Sequence, residues 1–316
     1  MDVAVIGGGT SSEHEVSLAS AEGIRAALQS CGHRVRDVRI TRNGLWECDG
    51  EPLGTSVRES LARALDALDG VDVLFPAMHG PAGEDGTIAA LAELVGIPCV
   101  FSPLVASAVA MDKWATRAVA TSQGIAVAPG RLITQLDEVP ADVALPAVVK
   151  PVAAGSSHGV VLVSEPAELP GAIREAQRFD RRVLIEERII GREVDIAIRD
   201  LPDGTVQCGP VLEIVVASGG LFDEEEKYGG AADFRIPAEL TSKERQSIED
   251  GALTMYRALG CRSLARIDFF LTPAGPVLIE VNTIPGFTEH SQVPRMFAAA
   301  GISYPQLVDD LVRSAR

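Results

Sequence analysis

At 316 residues the chain is long for one ordinary domain, and 47% apolar content supplies material for two or three cores. Only 4% of residues are aromatic, so Val, Ile, Leu and Ala must fill those cores, as they do in buried parallel or mixed sheets flanked by helices. A net charge of −16 argues against nucleic acid as a partner, and no uncharged apolar run approaches the ~18 residues of a membrane-spanning helix.

The opening MDVAVIGGG starts directly with a strand and has no basic segment leading into a long apolar run. The five cysteines are scattered and form no C-x-x-C pair. Together these features predict a cytoplasmic protein with reduced thiols. Strand patterns follow at RVRDVRI, VDVLFPAM and PCVF, alternating with helical patterns over residues 13–29, 57–68 and 84–95. This alternation predicts an open, doubly wound α/β sheet. A longer helix is expected over 105–123.

From residue 144 the pattern changes. ALPAVVKPV and GVVLVS flank a Gly/Ser loop and predict a hairpin, and a helix follows over 166–178. VLIEERI, EVDIAIRD, TVQCGPVLEIVVA, ARIDFFL and PVLIEVN are further strands, with a long helix over 241–259. Strands outnumbering helices indicate α+β lobes. The expected division is an N-terminal α/β lobe over 1–103, a central lobe over 104–185 and a C-terminal lobe over 186–316. Residues 218–234, SGGLFDEEEKYGGAADF, are long, charged and glycine-bearing, and predict a lid.

The glycine run GGGTSSEHEVS (7–17) follows the first strand but fails the dinucleotide fingerprint, because Ser12 stands where a third glycine or alanine is needed. It is the one feature that suggests a nicotinamide oxidoreductase. Ser12-Glu13-His14-Glu15 also has the form of a capping box, which competes with a ligand role for Glu13. MHGPAGEDGT (78–87) lies where the third strand ends, the end at which open sheets bind ligands. His79 would then line a cleft; alternatively Glu84, Asp85 and Thr87 simply begin a helix.

In KPVAAGSSHGV (150–160), Lys150 ends an apolar strand before a turn of small residues. Such a turn can aim backbone N–H groups at phosphate oxygens, with the lysine as a point charge, although the Walker order is absent and an ordinary hairpin turn has the same composition. Arg266 and Asp268 share one strand face, and Glu280 and Asn282 share another. An acid between Ile267 and Phe269 is costly unless paired or metal-bound. Asp268, Glu280 and Asn282 form an all-oxygen set that suits Mg²⁺ on nucleotide phosphates, with Mn²⁺ as a substitute; an Arg–Asp pair on a solvated face is the plainer reading. In VLIEERIIGREVDIAI (183–198), the backbone around Glu187 and Ile189 would meet adenine and Glu193 the ribose; an exposed strand of alternating charge explains it equally well.

In order, GGTSSEHEVSL, HGPAGEDGT, ASAVAMDK, VVKPVAAGSSHGV, EERIIGREVDIAI, EEEKYGG, ARIDFF and EVNTIPGFTEHSQVPRM make the chain resemble the D-alanine–D-alanine ligase family of the ATP-grasp superfamily, nearly end to end. The resemblance implies an ATP-grasp fold, with ATP and magnesium between the central and C-terminal lobes and the amino acids facing the N-terminal lobe. It further implies a homodimer that uses ATP to join two D-alanine molecules through an acylphosphate, for peptidoglycan. A related ligase with D-serine or another second substrate, and a nucleotide-binding but idle paralogue, are the alternatives.

On this resemblance Glu13 would hold the first ammonium, near Val16 and His79, with Ser156 and Tyr228 bonded to it. Lys113 and Lys150 would touch ATP phosphates, and Lys227 would reach the γ-phosphate. Glu186, Glu187 and Ile189 would face adenine, and Glu193 the ribose. Asp268, Glu280 and Asn282 would hold the metal, Arg266 and the Gly286 N–H the oxyanion, and Ser291 the second carboxylate. The chain departs from the family at Ala154, usually Glu; at His158, usually apolar; at FSPL (101–104); and at Gln292, usually Leu or Met, beside the second substrate.

Overall fold

A computed structural model describes residues 1–134, 139–140, 142–215 and 233–315. The chain begins with β1 (Asp2–Gly8), α1 (His14–Ser30), β2 (Arg34–Ile40), β3 (Trp46–Cys48), β4 (Glu51–Pro52), α2 (Val57–Ala67), β5 (Val73–Pro76) and α3 (Thr87–Val95). The sheet order is β4-β3-β2-β1-β5, with β2, β1 and β5 parallel. Alternation along β1 serves two cores at once. Val3 and Val5 pack with Ile24 and Leu28 of α1, whereas Ala4 and Ile6 pack with Ala64 of α2 and Ile88 of α3. PCVF adds only an isolated parallel bridge between Leu74 and Cys99.

The expected long helix is two. Helix α4 (Leu104–Met111) ends and α5 (Lys113–Ser122) begins at Asp112, whose backbone is extended (φ −84°, ψ 98°). Its carboxylate accepts from the Ala115 N–H at 2.9 Å, so the side chain that interrupts the helix caps the next one. A second four-stranded sheet follows, ordered β6-β9-β7-β8, from β6 (Gly130–Ile133), β7 (Ala147–Pro151), β8 (Val161–Val163) and β9 (Val183–Glu187). Helix α6 (Leu169–Ala176) covers it through Leu169, Ala172, Ile173 and Ala176.

The third sheet contains β10 (Arg192–Asp200), β11 (Val206–Cys208), β12 (Leu212–Val215), β13 (Asp233–Arg235), β14 (Leu264–Thr272) and β15 (Gly275–Asn282). TVQCGPVLEIVVA therefore makes two strands, divided at Gly209-Pro210. β10 and β14 form the centre, and α7 (Ser242–Leu259) packs Ile248, Ala252 and Met255 against them. Thr241 and Glu244 form a reciprocal capping box at the start of α7. The chain closes with α8 (Gln292–Ala299) and α9 (Tyr304–Ser314). Leu307, Val308 and Leu311 of α9 return to the core of the first sheet, and Phe297 of α8 joins that core to Ala197 and Leu264 of the third. Each such fully buried side chain contributes about 1.5–3 kcal/mol, so the ends of the chain help fasten the first and third sheets together. The lid expected over 218–234, with Lys227 and Tyr228, lies outside the described residues except for Asp233 and Phe234.

Candidate active site

Two of the sheets, with a helix and a loop attached to the first sheet, border one cavity of about 690 Å³. Its first wall is the N-terminal end of α1. Glu13 is buried there and precedes the helix without a side-chain cap, so the capping-box expectation fails at this position. The Glu13 carboxylate instead accepts a hydrogen bond from the Ser156 hydroxyl, 143 residues away. Burial pushes the Glu13 pKa up, and the nearby Glu84 adds to the rise. Val16, on the same helix, lines the cavity with it.

His79 follows β5, and its ring is locked on both nitrogens. Nδ1 lies 3.1 Å from the Ile284 carbonyl, and Nε2 lies 2.9 Å from the Ser20 hydroxyl. Burial disfavours its charged form, but Glu84, 3.6 Å from Nδ1, and Glu13 outweigh this and raise its pKa. Glu84, read from sequence as a helix starter, thus sits in the cavity wall with them.

The second wall comes from the four-stranded sheet and α5. Lys150 is the penultimate residue of β7, and its Nζ lies 2.5 Å from Glu186 on the neighbouring β9. Arg117 of α5 pairs with the other oxygen of Glu186. Both partners of this buried carboxylate are cations, one from a strand and one from a helix. Lys113 donates to the Ala154 carbonyl at 2.7 Å and lies 3.5 Å from Glu280. Glu187, Ile189 and Glu193 continue this wall around the end of β9 and the start of β10.

The third wall is set by strand register. Asp195 of β10, Asp268 of β14 and Glu280 of β15 lie abreast, and Arg266 lies opposite Asn282. Like charges directly opposite on adjacent strands repel. Arg266 answers that repulsion: Nε and Nη2 hold Asp268 bidentately at 2.8 and 2.7 Å, and Nε is 3.6 Å from Asp195. Burial opposes the Arg266 charge, but Asp268 and Asp195 raise its pKa further, so the guanidinium stays protonated. Its Nη1 donates to the Gln292 amide oxygen at 2.6 Å. A register shift between Asp268 and Phe269 makes Ile279 an extra residue on β15. Leu278 and Val281, three apart, therefore face the core while Glu280 and Asn282 remain on the cavity side.

Gly286 and Ser291 close the same wall. Ser291 Oγ accepts from the Thr288 N–H at 3.0 Å, which folds the segment over the cleft. All the described site residues expected from sequence line this one cavity; Lys227 and Tyr228 lie outside the described residues. Sequence reasoning missed Asp195, Arg117 and the inward role of Glu84. Asp195 had a signal, since it shares a strand face with Glu193. Arg117 had none, because its partner lies 69 residues away.

Two carboxylates and an amide oxygen at adjacent register positions are suitable donors for a hard cation. Among the described residues there is no cluster of three or more His, Cys, Asp or Glu side chains placed for a metal. Any ion here would therefore lean on Asn282 and on a ligand's own oxygens beside Asp268 and Glu280.

A cleft lined by the strands of two antiparallel sheets, with α1 and the segment after β5 of an α/β sheet on its third side, is the ATP-grasp architecture. Residues 2–102 match the family model for the D-ala D-ala ligase N-terminus, and residues 122–313 match that for the C-terminus. A D-alanine–D-alanine ligase of Mycobacterium sp. (strain KMS) is 40% identical, over 99% of this chain and 95% of that protein. The crystal structure of the VanG D-Ala:D-Ser ligase from Enterococcus faecalis superposes with a TM-score of 0.82 at 34% identity, covering 99% of this chain and 98% of that one. A D-alanine–D-alanine ligase from Bacillus anthracis complexed with ATP gives 0.81 at 28%, covering 99% and 97%. The chain belongs to the D-alanine–D-alanine ligase family.

Proposed function

We propose that this chain joins two D-alanine molecules at the expense of ATP, supplying the dipeptide for peptidoglycan. The observation that carries this reading is the convergence of Glu13, Lys150, Arg266 and Ser291, from separate elements, on one cavity. A carboxylate is a poor acceptor for an amine. Attack of the first D-alanine's carboxylate oxygen on the γ-phosphorus, with departure of ADP, converts it into an acylphosphate. The second amine then attacks that carbonyl carbon, and inorganic phosphate leaves.

Glu13, held by Ser156, receives the first ammonium, with Val16 and His79 beside it. Lys113 and Lys150 neutralise phosphate charge, which supports a transfer that depends mainly on positioning and electrostatics. Glu186, Glu187 and Ile189 border the adenine and Glu193 the ribose. Arg266 and the Gly286 N–H face the developing oxyanion, and Ser291 receives the second carboxylate. Asp268, Glu280 and Asn282 would hold Mg²⁺ or Mn²⁺, which when bound supplies charge neutralisation on the phosphates. Lys227 and Tyr228 would complete the site. The proposed lobes are 1–103, 104–185 and 186–316, in a cytoplasmic homodimer. No helix of the described residues is long and apolar enough to cross a membrane.

D-serine as second substrate is the competing reading. It draws on the likeness to the D-Ala:D-Ser ligase and on Gln292, a polar side chain held against Arg266. Phosphate release from ATP, measured with D-alanine alone and with added D-serine or D-lactate, separates the two. Release with D-alanine alone is expected; its absence overturns the leading reading.

A further inference from the structure

The loop between β7 and β8 meets the N-terminal end of α1 at two adjacent residues. Ser156 donates to Glu13, and the His158 Nε2 lies 3.3 Å from the Ser12 hydroxyl. We infer that Ser12 and His158 form a clasp that fastens this loop to the first lobe and so couples occupancy of the nucleotide side of the cleft to occupancy of the amino-acid side. The inference rests on the reading above, in which this loop covers ATP phosphates and Glu13 holds the amino acid.

Three observations make the clasp more than a surface contact. The loop backbone is already committed, with Ser156, Ser157 and Gly159 all at positive φ (48°, 58° and 70°). Its turns are closed by the His158 N–H to the Gly155 carbonyl at 3.1 Å and the Val160 N–H to the Ser157 carbonyl at 3.2 Å. The imidazole of His158 stacks on Phe179, with centroids 5.6 Å apart and planes 13° from parallel. Phe179 also closes over Gly159, where an added Cβ would lie 2.6 Å from its ring. Phe179 is thus a large, partly exposed ring that supports the loop from the central lobe, and it holds the imidazole while Nε2 reaches the first lobe. Ser12 and Glu13 are consecutive, so a loop drawn down by phosphate moves both of its anchors against one short segment. His158 is a positioning residue in this scheme, acting through the loop.

The test is the affinity of a non-hydrolysable ATP analogue, adenosine 5′-(β,γ-imido)triphosphate with Mg²⁺, measured by calorimetry with and without saturating D-alanine. In the wild type, D-alanine is expected to tighten analogue binding. Ser12→Ala removes the hydrogen bond, and His158→Phe removes it while keeping the ring on Phe179. Each is expected to reduce the D-alanine effect by about 3- to 10-fold, the weight of one hydrogen bond. The double variant is expected to lose no more than either single variant, and binding of the analogue alone is expected to change little. Additive losses, unchanged coupling in Ser12→Ala, or no coupling in the wild type would overturn the clasp. Failure of the wild type to bind the analogue at all would instead overturn the proposed function beneath it. Ser12 is exposed, so Ser12→Ala remains decisive even if His158→Phe folds poorly.

Discussion

Glu13 and Arg266 face the same cleft, but the protein places them by opposite means. Arg266 sits mid-strand, and pairing on both sides of β14 fixes which neighbours it meets: Asp195 through β10, Asn282 and Glu280 through β15. Glu13 sits at an uncapped helix start, where among the described residues a long-range hydrogen bond from Ser156 holds its carboxylate. A site residue on a paired strand inherits the rigidity of the ladder. One at an element's end depends on side chains brought from elsewhere, and is the natural place for substrate-dependent adjustment.

The sharpest way to break this contrast is Arg266→Ala. On the strand side, one change removes the cation that separates Asp195 from Asp268 and the proposed oxyanion donor together. Turnover is expected to fall by a factor of about 10²–10³, as when one oxyanion donor is lost. Stability is expected to fall by about 3–5 kcal/mol, the usual consequence of leaving buried charge unpaired. Steady-state turnover and urea unfolding of the same preparation check both. Turnover near the wild-type value would defeat the role given to Arg266. The equivalent loss on the helix side, Ser156→Ala, should cost less, about 1–3 kcal/mol, the weight of one buried acceptor left without its donor.

His79 sharpens the comparison through pH. Its folded pKa lies above its ordinary value of 6.5, because Glu84 and Glu13 outweigh the opposing effect of burial. A raised folded pKa means a stabilising contribution that is complete below about pH 6.5 and is lost as pH rises through the folded value. Wild-type stability is therefore expected to decline across that window, at most by ~1.4 kcal/mol per pH unit for one proton. His79→Gln keeps an amide near Ser20 and the Ile284 carbonyl but cannot titrate. Chemical denaturation at intervals from pH 6 upward should show a flatter profile in that variant. Identical slopes would mean that His79 stays neutral in the folded protein. The strand side offers no counterpart, because Arg266 remains charged throughout this range.

The same division governs how much was legible in the sequence. Alternation alone placed Arg266 with Asp268 and Glu280 with Asn282, because a strand has a period of two that polar and apolar residues at alternate positions reveal. The extra residue Ile279 was not legible, since a bulge changes the facing of Leu278 without changing composition. Asp195 carried the alternation but not the knowledge of which face met the cleft, which only its pairing with β14 supplies. Ser12-Glu13-His14-Glu15 satisfied a local rule that a tertiary contact overrode. Arg117 and Glu186 had no local rule to satisfy at all. For Glu13 and Glu186 the family resemblance, rather than residue spacing, pointed to the cavity they line, and nothing pointed to Arg117.

Asp112 gives the smallest effect and the most specific one. It looked like the interior of a continuous helix, yet its carboxylate caps α5 and also pairs with Arg182 at 2.6 Å. The residue it delivers into the cleft is its neighbour Lys113, held at 2.7 Å on the Ala154 carbonyl. Asp112→Ala is expected to cost about 1 kcal/mol, the weight of a lost N-cap. Asp112→Asn should recover most of that, because an amide oxygen still accepts from the Ala115 N–H. If the cap also orients Lys113, Asp112→Ala will raise KM for ATP with little change in the KM for D-alanine, and Asp112→Asn will restore it. A KM for ATP that stays at the wild-type value in both variants would show that Lys113 is placed by its own contact with Ala154, which would put it with the strand-fixed residues in kind if not in location.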